Sequence, residues 1–472
     1  MLTVDRMLRD RARTTPNRVA IFEGARLWTY GELDERSDAL ARGLARGQRV
    51  STLTGNTAEH VAVFFACAKA GAMLHPISWR LSPAEVAYQL DDAEPAYFLV
   101  EDQHRELGEA ALAQAAVEPA QALPSNGPMQ GQPGAADEDG LLLIYTSGTT
   151  GKPKGAVLTH ANCFWTNLSF DLATGIRGDD VVLQVLPQFH CGGWNVQALL
   201  AWWKGATVVL ERGFDARRAL ELIEERRVTT TMGVPANYLF MAHEPRFAGA
   251  DLSSLRLAVV GGAPMPEALL DTWAARGVDI VQGYGLTEAA PNVLCLPPED
   301  ARRKAGFAGK PYPYVECDVS RDGELLVRGP NVFPGYWRND EATAATIRDG
   351  WLHTGDVVER DDEGYYRIKG RLKDMVISGG ENVYPAEIEA VLHEHPAVAD
   401  AAVIGVPDER WGEVCAAFVV LSGEATEEEL RELCRDRLAR FKVPKSFRVV
   451  DKLPRNSMGK IQKSELKAQV PA

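Results

Sequence analysis

Leu141–Gly155 reads LLLIYTSGTTGKPKG. The apolar run at its start has the pattern of a buried strand. It delivers the chain into Thr146, Ser147, Gly148, Thr149, Thr150 and Gly151, with Lys152 and Lys154 just beyond. Small residues let backbone N–H groups approach an anion closely, hydroxyls donate further hydrogen bonds, and lysines supply charge. That combination suits a polyphosphate. It is not a Walker A loop, because G-x-x-x-x-G-K-[ST] needs glycine where Thr146 stands, and Pro153 follows Lys152. A Ser/Thr/Gly-rich surface turn has the same composition, and composition alone does not separate the two.

Around this loop the chain is ordinary globular protein. Its 472 residues suffice for about three domain-sized units. Apolar residues make up 46% and charged residues 25%, which argues against a mainly disordered chain. Acidic side chains number 65 against 51 basic ones, a net charge of −14. Such a surface repels phosphate backbones, so nucleic-acid partners are not expected. No run approaches the ~18 apolar residues of a membrane span, so integral membrane association is not expected either. Asp5 and Arg6 stand where a secretory signal would be apolar. The seven cysteines are an odd number and no two lie within four residues of each other, a poor framework for zinc or disulfides. A cytoplasmic protein with mostly buried, reduced thiols is expected.

The first hundred residues alternate helix and strand. Thr29 and Glu32 form a T-x-x-E capping box, and Ser82, Pro83 and Glu85 supply a second helix start. An apolar helix is expected near Ala58–Ala70, with strands near Val50–Thr54, Met73–His75 and Tyr97–Val100. This alternation favours α/β layers with largely parallel sheets. Residues 108–138, rich in Ala, Gln, Gly and Pro, read as a surface connection. A second break lies near Gly370–Asp374, and the rest reads as a small α+β domain. It has a helix near Pro385–His393, strands near Val398–Gly405, Val414–Leu421 and Phe447–Val450, and a helix capped by Thr426 and Glu429.

The stretch YTSGTTGKPKG resembles the signature of the adenylate-forming superfamily, which includes acyl-CoA synthetases, luciferases and peptide-synthetase adenylation domains. Six further motifs follow in the family's order: PQFH (Pro187–His190), GGAP (Gly261–Pro264), QGYGLTE (Gln282–Glu288), WLHTGD (Trp351–Asp356), GRLKDMVISGGENVYPAE (Gly370–Glu387) and PRNSMGK (Pro454–Lys460). The resemblance covers essentially the whole chain. It implies a large N-terminal α/β domain over residues 1–372, with layered sheets, helices and a small β subdomain. It also implies a small mobile α+β domain over residues 373–472, hinged near Lys373.

The family joins a carboxylate to AMP from MgATP, releasing pyrophosphate, and then passes the acyl group to a thiol. The resemblance implies ATP, Mg²⁺ and coenzyme A as cofactors and a small-molecule carboxylic acid as substrate. It assigns Thr146, Ser147, Gly148, Thr149, Thr150 and Lys154 to the phosphates, and Glu288 with Thr146 to the metal. Gly262, Ala263, Pro264, Gln282, Gly283 and Tyr284 would hold adenine, and Asp356 and Arg371 the ribose. Thr287 would bond the α-phosphate, Lys460 would be the catalytic cation, and His190 would gate carboxylate entry. Gly379, Gly380 and Glu381 would approach the pantetheine tunnel.

The acyl pocket would draw on Phe189, Gly192, Gly193, Trp194, Val234, Tyr238, Gly285 and Leu286. No Arg or Lys lies between Pro187 and Trp203 or between Thr229 and His243. A dicarboxylate such as malonate would want a buried cation there, so it is disfavoured. Gly192 and Gly193 leave room, while Trp194 either caps the pocket or packs in the core. An apolar pocket for a medium- or long-chain fatty acid or a hydroxycinnamate such as ferulate is expected. The leading reading is a carboxylate–CoA ligase, monomeric or homodimeric. The alternatives are an acyl-AMP ligase loading a separate carrier protein, a luciferase-like oxygenase and a non-catalytic binding protein.

Overall fold

Short β-branched runs closed by capped helices generate parallel strands, and the chain builds its sheets this way. A computed structural model describes residues 2–123, 135–146, 152–378, 381–408, 410–455 and 461–470. The chain divides into two compact units, Met1–Cys317 with Val327–His353, and Asp318–Leu326 with Thr354–Ala472. Compactness therefore puts residues 354–372 in the second unit. The boundary read from sequence, Lys373, marked a hinge, which is a different property from where contacts divide.

Among its described residues the first unit holds a nine-stranded and a six-stranded sheet. The middle of the larger sheet is parallel. Ile280–Gly285, Leu257–Val260, Thr230–Gly233, Val181–Gln184, Thr207–Leu210 and Val19–Glu23 follow one another across it. Asn292–Cys295 and Lys310–Pro311 extend one side antiparallel, and Arg26–Thr29 the other. The smaller sheet runs Gly335–Tyr336, Lys154–Thr159, Gly140–Thr146, Met73–Pro76, Arg49–Leu53 and Tyr97–Val100. Its first three strands are antiparallel neighbours and the remainder are parallel. The helix Ala58–Ala70 is almost wholly buried, as its unbroken apolar sequence requires. The capping boxes at Thr29–Glu32 and Ser82–Glu85 are present.

The second unit carries a sheet of Glu381–Val383, Val376–Ser378, Gly412–Leu421 and Val398–Asp408, with Ser446–Val449 parallel to Gly412–Leu421. Its core packs Val376, Ile388, Leu392, Val403, Cys415, Ala417 and Leu430 together. The helix Glu427–Arg437 begins at the expected Thr426 box.

Two local expectations change. Residues 108–138 are not all connection: a helix spans Arg105–Leu112. Its buried face consists of Gly108 and Ala111, and a Cβ on Gly108 would stand 2.9 Å from the Val100 methyls. Small residues hide such a face from hydropathy patterns. The strand expected to end at Gly405 runs on to Asp408, with Pro407 opposite Glu413. Proline lacks an N–H and discourages strand assignment, yet it is tolerated at a hairpin end.

All seven cysteines are free, and each except Cys317 is buried. Three histidines are buried and hydrogen-bonded. His60 contacts Thr52 and Gln188, His75 contacts Ser51 and Gln89, and His160 accepts from the Val4 N–H. Burial lowers each to about 4. The unfolded chain binds protons at ordinary histidine pKa values of about 6.5. Stability from these residues is therefore complete above about pH 6.5 and lost as pH falls towards 4. Urea midpoints measured from pH 7.5 to 4.5 are expected to fall most steeply in that window, and less steeply after His75→Gln.

Candidate active site

Three motifs meet because three parallel strands end together. Gly233 lies beside Val260, and Val260 beside Gln282. The residues that follow, Val234, Gly261–Pro264 and Gly283–Tyr284, therefore emerge side by side at the carboxyl edge, where ligands bind in open α/β sheets. Gly262 adopts φ +80°, and a Cβ there would lie 3.5 Å from Val234 Cγ1. Gly262, Ala263 and Pro264 are exposed, whereas Gly283 and Tyr284 are half-buried. Gln282 is buried; its carbonyl accepts from the Leu296 N–H at 2.8 Å. Its side-chain Nε2 has no partner among the described residues.

The phosphate loop is the tip of a hairpin. Strand Gly140–Thr146 pairs antiparallel with Lys154–Thr159, so Thr146 stands opposite Lys154. Ser147, Gly148, Thr149 and Thr150 lie outside the described residues, as do Gly379, Gly380 and Lys460. Lys152 Nζ lies 5.8 Å from the Tyr88 ring centre, and the Tyr88 hydroxyl donates to Pro153 O at 3.1 Å.

Glu288 stands on a one-turn helix, Thr287–Ala289, directly after Ile280–Gly285. Its Oε1 accepts from the Tyr336 hydroxyl at 2.8 Å, with the Thr146 hydroxyl farther off at 3.5 Å. Thr287 Oγ1 accepts from Cys191 Sγ at 3.4 Å, and burial pushes that thiol up to about 11. The hydroxyl–carboxylate pair of Thr146 and Glu288 is an all-oxygen donor set. It fits Mg²⁺, which is commonly held by one or two carboxylates together with substrate phosphates. Among the described residues no three His, Cys, Asp or Glu side chains gather as a metal cluster. Tyr336 escaped the sequence reading, because a tyrosine in FPGYW carries no charge or spacing signal.

In the second unit, Asp356 and Arg371 face each other across an antiparallel pair. Arg371 Nε contacts Asp356 Oδ1 at 2.8 Å, and its Nη1 donates to Thr354 O at 3.2 Å. The Asp356 side chain is only 6% exposed. Lys373 and Glu381 are exposed.

The expected acyl residues fall into two groups. Phe189 packs edge-on to Trp79 and against the His190 ring. His190 is lowered to about 4, by burial first and Arg80 second. Val234 is 37% exposed and Leu286 half-buried, so both stay at the rim. Trp194 and Tyr238 are core residues. Trp194 stacks on Phe64 at 4.4 Å and donates its indole N–H to Gln188 O at 2.7 Å. Tyr238 packs against Trp273 and donates to Val259 O at 2.7 Å. Gly193 and Gly285 are glycine because backbone closes on them. A Cβ would lie 2.3 Å from Pro187 O in the first and 1.7 Å from Pro291 O in the second. Around Gly192 a Cβ would meet only ordinary contacts, 3.8 Å from Val196.

The fold and these motifs define an adenylate-forming enzyme. Residues 8–337 match the AMP-binding enzyme family, and residues 387–460 its C-terminal domain. The chain belongs to that family. It is 41% identical over 475 residues to a feruloyl-CoA synthase of Amycolatopsis, covering 97% of each chain. It is 38% identical to a long-chain-fatty-acid–CoA ligase of Mycobacterium tuberculosis, covering 100% of this chain and 99% of that one. The solved O-succinylbenzoate CoA synthetase of Bacillus subtilis, in complex with ATP and magnesium, superposes with a TM-score of 0.89. It is 33% identical, with 98% of this chain and 99% of that chain covered. The protein is an AMP-forming acyl-CoA synthetase that ligates a carboxylic acid to CoA at the expense of ATP. Among the described residues no helix is long and apolar enough to cross a membrane.

Replacing Gly285 by Ala forces a Cβ into the Pro291 carbonyl and displaces the turn carrying Thr287 and Glu288. The variant is expected to lose about 3 kcal/mol of stability and nearly all adenylation, read by thermal unfolding and by pyrophosphate release.

Proposed function

We propose that the acid is apolar and carries no second anionic group, either a hydroxycinnamate such as ferulate or a medium- to long-chain fatty acid. The observation that carries this reading is the chemistry of the segments at the strand ends. Neither Pro187–Trp203 nor Thr229–His243 contains a lysine or arginine, so a second carboxylate would be desolvated there without a partner. The feruloyl-CoA and fatty-acyl-CoA relatives agree with an apolar acid.

In this reading the exposed Gly262–Pro264 segment and Tyr284 hold the adenine. Asp356, oriented by Arg371, accepts from the ribose hydroxyls, since one carboxylate can take two vicinal O–H donors. Thr287 donates to an α-phosphate oxygen, and Lys154 with the hairpin tip binds the outer phosphates. Thr146 and Glu288 hold Mg²⁺, whose chemistry when bound is to neutralise phosphate charge. Lys460 bridges the acid carboxylate and the α-phosphate, where charge builds as the new bond forms. The neutral His190 imidazole, low in pKa, leaves the entering carboxylate unpaired until it reaches Lys460. Turning the chain about Lys373 then brings Gly379, Gly380 and Glu381 towards the pantetheine arm for the second half-reaction.

Pyrophosphate release across C2–C18 and aryl acids, with and without CoA, tests the substrate. Apolar acids are expected to lead and malonate to be inert; a preference for malonate would refute the reading. Lys460→Ala is expected to cut adenylation about a hundredfold while thioester formation from supplied acyl-AMP survives. Equal loss in both half-reactions would contradict the assignment of Lys460 to the first.

A further inference from the structure

Residues 331–337 tie the exit strand of the phosphate hairpin to the turn that carries Glu288. On one side, Gly335–Tyr336 pairs antiparallel with Lys154–Thr159, and the Trp337 N–H donates to Gly155 O at 2.7 Å. On the other, the Phe333 N–H donates to Glu288 O at 2.9 Å. Asn331 Nδ2 donates to Ala289 O at 3.1 Å and to Asn292 O at 2.9 Å. Inside this tie the Tyr336 hydroxyl donates to Glu288 Oε1 at 2.8 Å.

The ring that carries this hydroxyl is itself fixed. Phe333 meets it edge-on at 4.9 Å, and Lys154 Nζ stands 5.3 Å from its centre. The Tyr336 N–H donates to Thr343 Oγ1 at 2.9 Å. Burial first, and the Glu288 carboxylate second, raise the phenol well above its ordinary pKa, so it stays a donor at neutral pH.

We infer that Tyr336 is a positioning residue for the divalent cation of the nucleotide: by engaging Glu288 Oε1 it fixes the carboxylate rotamer and leaves Oε2 to face the metal. The inference rests on the proposed metal role of Glu288. A glutamate has three rotatable side-chain bonds, and a ligand that samples several rotamers binds a cation less tightly than one already aimed. Partners that orient a ligand in this way typically alter metal affinity by about 10–100-fold when removed. Because the Tyr336 ring is anchored to the hairpin strand, the same contact also couples the Glu288 rotamer to the seat of the phosphate loop.

Tyr336→Phe removes one oxygen and keeps the ring. ATP binding to the full chain, measured by calorimetry at a series of Mg²⁺ concentrations and again in EDTA, separates positioning from packing. The variant is expected to need about tenfold more Mg²⁺ for half-maximal nucleotide binding. Excess Mg²⁺ should rescue it, while metal-free ATP binding and the ligand-free unfolding temperature stay as in the wild type. An unchanged Mg²⁺ requirement overturns the inference, as does an equal loss of ATP affinity with and without Mg²⁺. Glu288→Gln and the double variant complete a cycle. If Glu288→Gln weakens Mg²⁺-dependent binding and Tyr336→Phe does nothing, only the Tyr336 role fails. If Glu288→Gln itself leaves the Mg²⁺ dependence unchanged, the metal reading fails and this inference with it. Additive effects in the double variant would also overturn it, because a residue acting through Glu288 has no effect once Glu288 is replaced.

Discussion

The lateral pairing of parallel strands is the constraint on which the first unit rests. Gly233, Val260 and Gln282 occupy neighbouring places in one ladder. A strand slipped by two residues would keep its apolar faces inward, because side chains alternate with period two. It would also carry its following loop several ångströms along the sheet. Shared register therefore brings segments fifty residues apart to one edge, and the chemistry of that edge follows from which residues come next.

The glycines of the motifs divide into distinct physical roles. Gly262 takes a left-handed conformation at the exposed end of its strand. Gly193 and Gly285 admit a neighbouring carbonyl where no Cβ could stand. Only Gly192 has ordinary free space about it. Room for a substrate is thus a property of particular glycines rather than of a glycine-rich stretch, and two of those read as pocket glycines serve the backbone. Trp194 and Tyr238 make the same point for aromatics. Both bury their rings and satisfy their polar atoms on main-chain carbonyls, as large amphipathic side chains in cores usually do.

The acid groups near the nucleotide segments are oriented before any ligand arrives. Glu288 is engaged by Tyr336, and Asp356 by Arg371. A carboxylate already in place loses little freedom on binding, so more of the interaction energy goes to the ligand. The sign of the pairing differs with the task. A neutral phenol orients Glu288 without cancelling the charge a cation needs, whereas a guanidinium suits a carboxylate that receives neutral hydroxyls.

Several features were legible in the chain alone. Capping boxes at Thr29, Ser82 and Thr426 are local chemistry, each complete within four residues, and their helices begin where they say. The strand pattern of residues 141–145 and the run of motifs from Tyr145 to Lys460 marked the family, because a motif is short-range information. The helix Arg105–Leu112 was hidden by its small buried face, and the long hairpin of the second unit by Pro407. What sequence alone determined was the α/β class, the order of motifs and the residue types available for phosphate, metal and acid. Tertiary structure alone decided which of them meet. Tyr336 reaches Glu288 across 48 positions and Cys191 reaches Thr287 across 96, distances along the chain over which no local rule of spacing operates, so only the packing of strands and turns could bring those atoms together.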